Sequence, residues 1–225
     1  MSSCHHPLSK PPMMMVIEKG KDWGRPANAE DQATAVVDSD AEAAALAFQH
    51  RNALKPLTLS LAGGDLARTL GLGGSPTLRP TPDADQMVFP IDLGLVRLDD
   101  SLEPLPFTAH VIARRTGWNG PFAVVMNAGW FGDWYLGPRA HPNDGLLDIT
   151  SGALTFQQRL LARRRVSVGT HLPHPSLKMV RRPEWKVAFD TRTSIWVDGQ
   201  RVGRVTKLKV QSLPDCFSVL VPASR

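Results

Sequence analysis

The spacing of apolar and polar positions divides the chain into two parts of different character. In the first part, Ala35–Val37 predicts a short strand, Ala41–His50 an Ala-rich helix and Leu57–Leu61 a second strand. The segment Asp38-Ser39-Asp40 before the helix offers side chains that accept hydrogen bonds from the free N–H groups at a helix start. A strand, a helix and a strand at this spacing predict a βαβ unit with parallel strands.

A glycine turn follows the second strand. The segment Ala62-Gly63-Gly64-Asp65 leads into a short helix over Leu66–Leu70. Glycines let a backbone approach a ligand closely, and N–H groups at a helix start attract anions, so Gly63, Gly64 and Asp65 are candidate phosphate-binding residues. The alternative is a turn that only changes the direction of the chain, with Asp65 capping the helix.

Beyond residue 75 the pattern changes to short β-like runs separated by turn residues, which is typical of an antiparallel sandwich-like lobe. These runs are Met87–Ile91, Leu93–Leu98, Phe107–Ala113, Phe122–Asn127, Val187–Phe189, Ser194–Val197, Val205–Val210 and Phe217–Val221. One amphipathic helix is predicted at about Thr155–Arg164, with Leu154, Leu160 and Leu161 facing inward. We therefore expect an α/β plus β architecture: a disordered tail over residues 1–14, a reduced Rossmann-like α/β lobe over 15–75 and a β-sandwich lobe over 76–225.

Charge is distributed unevenly between the two parts. Residues 1–150 hold 12 Lys and Arg against 17 Asp and Glu, a net charge of −5, whereas residues 151–225 hold 14 against 4, a net charge of +10. A basic lobe attracts phosphate esters, acidic lipid headgroups or nucleic acid. Nucleic acid is not expected, because no known binding module is visible and aromatic residues do not alternate with these charges.

The termini and the apolar runs bear on location. No apolar stretch approaches the ~20 residues that a membrane-spanning helix needs. The N-terminus has no basic segment followed by an apolar one, so no secretory signal is expected. We expect a cytoplasmic protein, and its basic lobe predicts either contact with an anionic membrane surface or a well-solvated basic surface.

Several motifs occur in the order in which they occur in one family of kinases. They are Leu61–Leu72, the segment Asn127-Ala-Gly-Trp-Phe-Gly-Asp133, the segment from Gly137 to Asp148 with its Pro-Asn-Asp-Gly-Leu-Leu-Asp ending, Gly169–Pro175, Ile195–Gln200 and Leu220–Pro222. Together they resemble the bacterial diacylglycerol kinases and related lipid kinases. The resemblance implies the two-lobe fold shared with NAD kinases, with a nucleotide in the first lobe and a magnesium-binding carboxylate from the second.

The resemblance also implies an activity and its site residues. Lipid kinases of this type move the γ-phosphate of ATP to a lipid hydroxyl. On this sequence Asn127, with the Gly63 and Gly64 turn, would face the nucleotide, and Asp144 would bind Mg²⁺. Asp144 also fits a structural role, because Asn143-Asp144-Gly145 is a common tight turn. Asn127 ends a β-branched run, so its side chain either points into the cleft or is structural.

Two departures from the family pattern argue against ordinary kinase chemistry and make ATP doubtful. Where the family has a Gly-Gly-Asp-Gly-Thr phosphate loop, this chain has Asp38 to Glu42, which lacks glycine and carries three carboxylates. Gln200 stands where these kinases have a Glu proposed as general base, and an amide does not accept a proton at neutral pH.

An aromatic cluster completes the set of candidates. Trp130, Phe131 and Trp134 lie among glycines and predict either a pocket for an acyl-like ligand or a plug between the lobes. The leading interpretation is a protein that binds a phosphate-bearing or lipid-like ligand in the cleft between the lobes. The alternatives are an active ATP-dependent lipid kinase and a non-catalytic interaction protein, and a homodimer is an expected assembly because a reduced lobe leaves apolar surface.

Overall fold

A computed structural model describes residues 23–55, 57–72 and 86–222. The predicted tail over residues 1–14 and most of the predicted lobe boundary lie outside these residues. The elements run in chain order as β1 (Arg25–Pro26), β2 (Ala35–Val37), α1 (Asp40–His50), β3 (Leu57–Leu61), α2 (Asp65–Thr69), β4 (Gln86–Leu98), β5 (Leu105–Phe107), β6 (His110–Arg114), β7 (Pro121–Met126), β8 (Leu147–Ala153), α3 (Phe156–Arg165), β9 (Leu177–Arg182), β10 (Glu184–Val197) and β11 (Gln200–Pro222).

The predicted βαβ unit is present. Strands β2 and β3 pair in parallel, with Ala35 opposite Leu59. The helix α1 between them begins after Ser39, whose hydroxyl accepts a hydrogen bond from the Glu42 N–H at 3.3 Å. Its alanines at positions 43, 44 and 47 are buried, so small side chains let the helix lie close to the sheet.

The βαβ unit joins the larger lobe through a single strand. Strand β3 pairs in parallel with β11, where Leu57 lies opposite Phe217, while the other neighbours of β11 are antiparallel. The result is one 11-stranded sheet with the main order β1-β4-β11-β10-β6-β7-β8-β9. This arrangement confirms the predicted α/β plus β fold class.

Several strands differ from the predicted runs. The two runs around Ile91 form one strand of 13 residues, β4, and the pair β8 and β9 was not predicted. In strand β8 the buried Leu147 and Ile149 alternate with polar residues, and a glycine follows. Its sequence is therefore less apolar than that of its partner β7. Its identity as a strand depends on pairing with β7 and β9 rather than on its own residues.

The orientation predicted for the helix over Thr155–Arg164 was wrong in part. Leu154 is buried as expected, but Leu160 and Leu161 are 50% and 46% exposed. The helix is anchored near its start by the capping box of Thr155 with Gln158 and by a hydrogen bond from Arg159 to the Trp118 carbonyl oxygen at 3.3 Å. About half of each leucine side chain remains exposed.

The described helices are short. The longest of them, α1, has 11 residues. None of the described helices has the length and apolar character needed to cross a membrane.

Candidate functional site

Buried polar side chains concentrate where the βαβ unit meets the larger lobe. We call this region the junction and define it by the residues Asp40, Asp65, Asp92, Thr108, His110, Asn127, Asn143, Asp198 and Asp215. Six of the nine buried polar or charged residues in the described chain belong to it. Because burying a polar group is costly unless it is hydrogen bonded, the junction is the first candidate for a site.

The carboxylate of Asp40 closes the start of α2. It accepts hydrogen bonds from the N–H groups of Asp65 at 2.6 Å and Leu66 at 3.0 Å. Burial, together with the nearby charge of Asp198, raises the pKa of Asp40 to about 6. Two donors that face outward in a phosphate-binding turn are therefore already hydrogen bonded inside this protein.

The two glycines before α2 make this contact sterically feasible. A Cβ atom on Gly63 would lie 2.6 Å from the carbonyl oxygen of Asp38, and one on Gly64 would lie 2.5 Å from Oδ1 of Asp40. Gly64 also has a φ of +100°, which disfavours other residues. The close approach for which these glycines are needed is to the segment around Asp40, and their predicted contact with a phosphate stays a prediction.

Asp65 links the two lobes through its side chain. Its Oδ2 lies 2.9 Å from Nε2 of His110 on β6, and its Oδ1 accepts a hydrogen bond from the Gly132 N–H at 2.8 Å. Burial by itself would lower the pKa of His110, but the hydrogen bond to Asp65 and the neighbouring carboxylates raise it overall. Burial is the largest influence on Asp65 and opposes its ionisation, but the hydrogen bonds from His110 and Gly132 and the nearby positive charges together lower the pKa of Asp65. The arrangement is a hydrogen-bonded histidine–carboxylate pair between the lobes.

Asp198 holds the chain before β6 in place. Its carboxylate accepts hydrogen bonds from three successive backbone N–H groups, those of Thr108 at 2.8 Å, Ala109 at 3.0 Å and His110 at 2.9 Å. Burial raises the pKa of Asp198, and His110 opposes that rise. The sequence comparison drew attention to Gln200, which is exposed at the start of β11, whereas the half-buried Asp198 two positions earlier makes the contacts.

Asn127 is at the centre of the junction. It is 1% exposed, and its Nδ2 donates to the carbonyl oxygens of Asp92 at 3.0 Å and Thr108 at 2.9 Å. Thr108 in turn donates its hydroxyl to the carbonyl oxygen of Asp40 at 3.0 Å. Asn127 thus connects β4 with the segment between β5 and β6 and, through Thr108, with the βαβ unit, and its predicted contact with a nucleotide stays a prediction.

Asp92 forms the second half of the junction. Its carboxylate accepts hydrogen bonds from the N–H groups of Gly145 at 2.6 Å and Asp215 at 3.0 Å. Burial is the main cause that raises the pKa of Asp92 to about 6. Asn143 bridges to Asp215, donating from Nδ2 at 2.8 Å. This half of the junction braces the loop before β8 against β11.

Asp144 lies beside this network and makes an ion pair with Arg181 on β9. Its other oxygen accepts a hydrogen bond from the Leu146 N–H at 2.9 Å, as in a tight turn. Within residues 23–55, 57–72 and 86–222, no group of three or more His, Cys, Asp or Glu side chains is arranged to hold a metal ion. Arg181 would repel a divalent cation from the same oxygens, so these surroundings do not suit Mg²⁺, and the magnesium site at Asp144 stays a prediction.

The three predicted pocket aromatics have separate surroundings. Trp130 stacks against Tyr135 and lies under the guanidinium group of Arg68, which is 3.8 Å from the ring centre. Phe131 meets His110 edge to face at 4.9 Å, at the border of the junction. Trp134 lies 6.0 Å from Phe131 on the other side and turns toward α3.

Trp134 lines an apolar cavity between α3 and the sheet, with a volume of about 310 Å³. The other lining residues are Gly117, Trp118, Phe122, Val124, Leu136, Thr150, Leu154, Phe156, Arg159, Leu160, Ala162, Arg163, Val166, His171 and Leu177. Of these residues, only Trp134 was predicted from the sequence to contact a ligand. Trp118 and Leu177 lie 59 positions apart in the sequence, so no local motif joins them.

The arrangement of the strands and helices indicates the class to which this protein belongs. A βαβ unit joined edge-on to a large antiparallel sheet is the fold that the resemblance to NAD kinase-like proteins implied. The family model described as the YegS C-terminal NAD kinase beta sandwich-like domain matches residues 91–221, more than half of the chain. The chain belongs to this family.

Solved structures of proteins assigned as diacylglycerol kinases from Bacillus anthracis str. Sterne are similar in fold. One has a TM-score of 0.54 at 15% identity and covers 74% of this chain and 68% of that protein. Two others have TM-scores of 0.54 and 0.52 at 13% identity, covering 74% and 72% of this chain and 70% and 69% of theirs. No curated protein matches the chain. These likenesses establish the diacylglycerol kinase-like fold, and the family model confirms the predicted family.

Proposed function

We propose that this protein binds an amphipathic, lipid-like anion, with the apolar part in the cavity beneath α3, and does not carry out ordinary phosphoryl transfer. The observation that carries the proposal is the cavity itself, which is lined mostly by apolar and aromatic side chains. A volume of about 310 Å³ lies within the range of small-molecule pockets, which is roughly 300–1,000 Å³. The pocket thus differs from the predicted cleft between the lobes.

The cations at the cavity support an anionic head for the ligand. Arg159 and Arg163 are the charged residues among its lining side chains, and Arg163 is exposed. An arginine beside an apolar cavity suits a phosphate or carboxylate at the end of an acyl chain, because the guanidinium group donates several hydrogen bonds to oxygen anions.

The junction supports the absence of kinase chemistry. Phosphoryl transfer needs backbone donors, a divalent cation and an oriented nucleophile. The donors of Asp65 and Leu66 are hydrogen bonded to Asp40, and Arg181 neutralises Asp144. The segment from Asp38 to Glu42, without a glycine, adds negative charge where a triphosphate would settle.

A displacement experiment tests the ligand. A long-chain fatty acid and a lysophospholipid should each displace a fluorescent apolar probe from the protein in the absence of membranes. In Ala162→Phe the added ring would fill the cavity, and the affinity for the probe should fall at least about tenfold, which corresponds to about 1.4 kcal/mol.

Leu161→Phe is the matched control, because it adds similar bulk on the same helix outside the cavity lining. Equal affinities in Ala162→Phe, Leu161→Phe and the unmodified protein would contradict the proposal. Magnesium-dependent phosphorylation of diacylglycerol, with thermal stabilisation by ATP, would favour the active-kinase alternative instead.

A further inference from the structure

Apolar side chains are unusually exposed around α3. Nine large hydrophobic residues of the described chain are exposed, and four of them fall within 13 consecutive residues: Phe156 at 73%, Leu160 at 50%, Leu161 at 46% and Val168 at 69%. Scattered exposed hydrophobics need no explanation, but a cluster of them points to an interaction surface. We call these four side chains, with Arg163, Arg164 and Arg165, the α3 face.

The charge around this face has a single sign. Residues 149–183 contain seven Lys and Arg and no Asp or Glu. Three consecutive arginines occupy the last turn of α3, where the helix dipole favours cations. No ion pair recorded among the described residues involves these three side chains.

From this combination we propose that the α3 face docks the protein on an anionic lipid bilayer. Phe, Leu and Val side chains would enter the boundary between headgroups and acyl chains, while the arginines reach lipid phosphates with their long side chains. Anionic lipid is the complementary partner for a segment that carries seven basic and no acidic residues. A second copy of the chain would instead bring the same arginines against each other.

The position of the cavity gives this docking a consequence. Phe156, Leu160 and Arg163 belong both to the α3 face and to the cavity lining. A docked α3 would therefore place the mouth of the cavity against the bilayer, so that an acyl chain reaches it without crossing water. This consequence rests on the proposed ligand, whereas docking itself does not.

Vesicle co-sedimentation tests the docking. Phosphatidylcholine vesicles containing phosphatidylglycerol should bind the protein, and pure phosphatidylcholine vesicles should bind it far more weakly. Arg164→Gln with Arg165→Gln should reduce binding on the order of 25-fold, because each basic residue near an anionic surface contributes about 1 kcal/mol. Lys186→Gln with Arg201→Gln removes equal charge from exposed positions on β10 and β11 and should have a much smaller effect.

The apolar side chains are tested by Leu161→Ser with Val168→Ser, which should lower binding at least tenfold. Leu54→Ser with Leu102→Ser is the control, since those leucines are more exposed but lie elsewhere. Neither Leu161, Val168, Arg164 nor Arg165 lines the cavity, so probe displacement should stay unchanged in these variants. If these variants lose vesicle binding but still bind the probe, the ligand proposal stands. If the protein binds vesicles but does not bind the probe in its cavity, only the ligand proposal is overturned.

Hydrogen exchange of the unmodified protein provides a second measurement that depends on no variant. Anionic vesicles should slow exchange over residues 156–168 more than over β4. Equal binding to neutral and anionic vesicles, self-association abolished by Leu161→Ser with Val168→Ser, or binding to duplex nucleic acid but not to vesicles would each overturn the proposal.

Discussion

The junction and the cavity lie next to each other, separated by Phe131 and Trp134, but they differ in how far the protein's own groups occupy them. At the junction, the carboxylates of Asp40, Asp92 and Asp198 accept hydrogen bonds from the protein's own backbone. At the cavity, apolar side chains enclose space that the protein itself does not fill. The carboxylates in the region that resembles a nucleotide site are thus hydrogen bonded within the protein, although Nδ1 of His110 and Oδ1 of Asn127 have no partner among the described residues, whereas the cavity offers apolar space to a ligand.

The largest expected effect concerns the pH dependence of stability at the junction. The folded-state pKa of Asp92 is raised from 3.8 to about 6, so its contribution to folding is fully present below about pH 4 and is lost as the pH rises through 6. That difference corresponds to about 3 kcal/mol in the free energy of unfolding. Asp40 has a similarly raised pKa, so its ionisation also lowers the free energy of unfolding as the pH rises.

Chemical denaturation at pH 4 and pH 7 measures this fall directly. In Asp92→Asn the amide cannot ionise, and the fall between pH 4 and pH 7 should be smaller by about 2 kcal/mol. Asp100→Asn changes a side chain that is 86% exposed and should keep the profile of the unmodified protein. An identical fall in Asp92→Asn and the unmodified protein would show that the junction tolerates the buried charge without cost.

A smaller effect is expected from removing an acceptor of three hydrogen bonds. Asp198 and Asp99 each accept bonds from two or more backbone N–H groups, and their φ values are similar at +43° and +49°. Asp99 is exposed, so water replaces its carboxylate, while the N–H groups before β6 would be left without a partner.

Thermal or urea unfolding should therefore show that Asp198→Ala destabilises the protein by at least about 2 kcal/mol more than Asp99→Ala. The strain of placing alanine at a positive φ is common to both variants and cancels in the comparison. Similar losses would mean that water reaches the backbone groups at the junction as readily as those at the surface.

The smallest of the three effects concerns the glycine turn. Alanine at Gly64 would combine a positive φ with a Cβ atom 2.5 Å from Asp40, whereas alanine at Gly71 would have a φ of +81° but nothing within 4 Å. We expect Gly64→Ala to cost about 1–2 kcal/mol more than Gly71→Ala in unfolding free energy, because overlap adds to the shared strain. Equal costs would indicate that the turn at Gly64 moves away from the segment around Asp40 easily enough to admit a ligand between them.

Much of the fold could be predicted from local patterns. The βαβ unit followed from an Ala-rich helix between two β-branched runs, and most strands of the larger lobe followed from apolar runs and turns. The length of β4, the strands β8 and β9 and the outward leucines of α3 could not be predicted, because each depends on which neighbour an element pairs with. The candidate site shows the same limit, since Asp65 and Asn127 were found from motifs but His110 and Asp198 were not.

The sequence by itself determined the family, the order of the elements, the loss of glycine between Asp38 and Glu42, and the concentration of positive charge after residue 150. These properties are carried by residue types and their spacing along the chain. Only the tertiary structure decided that Asp40 closes the start of α2, that Arg181 neutralises Asp144, and that residues as distant as Trp118 and Leu177 enclose one cavity. Those outcomes depend on contacts between side chains that are far apart in the sequence and that only the folded sheet brings together. A local sequence pattern does not predict such contacts.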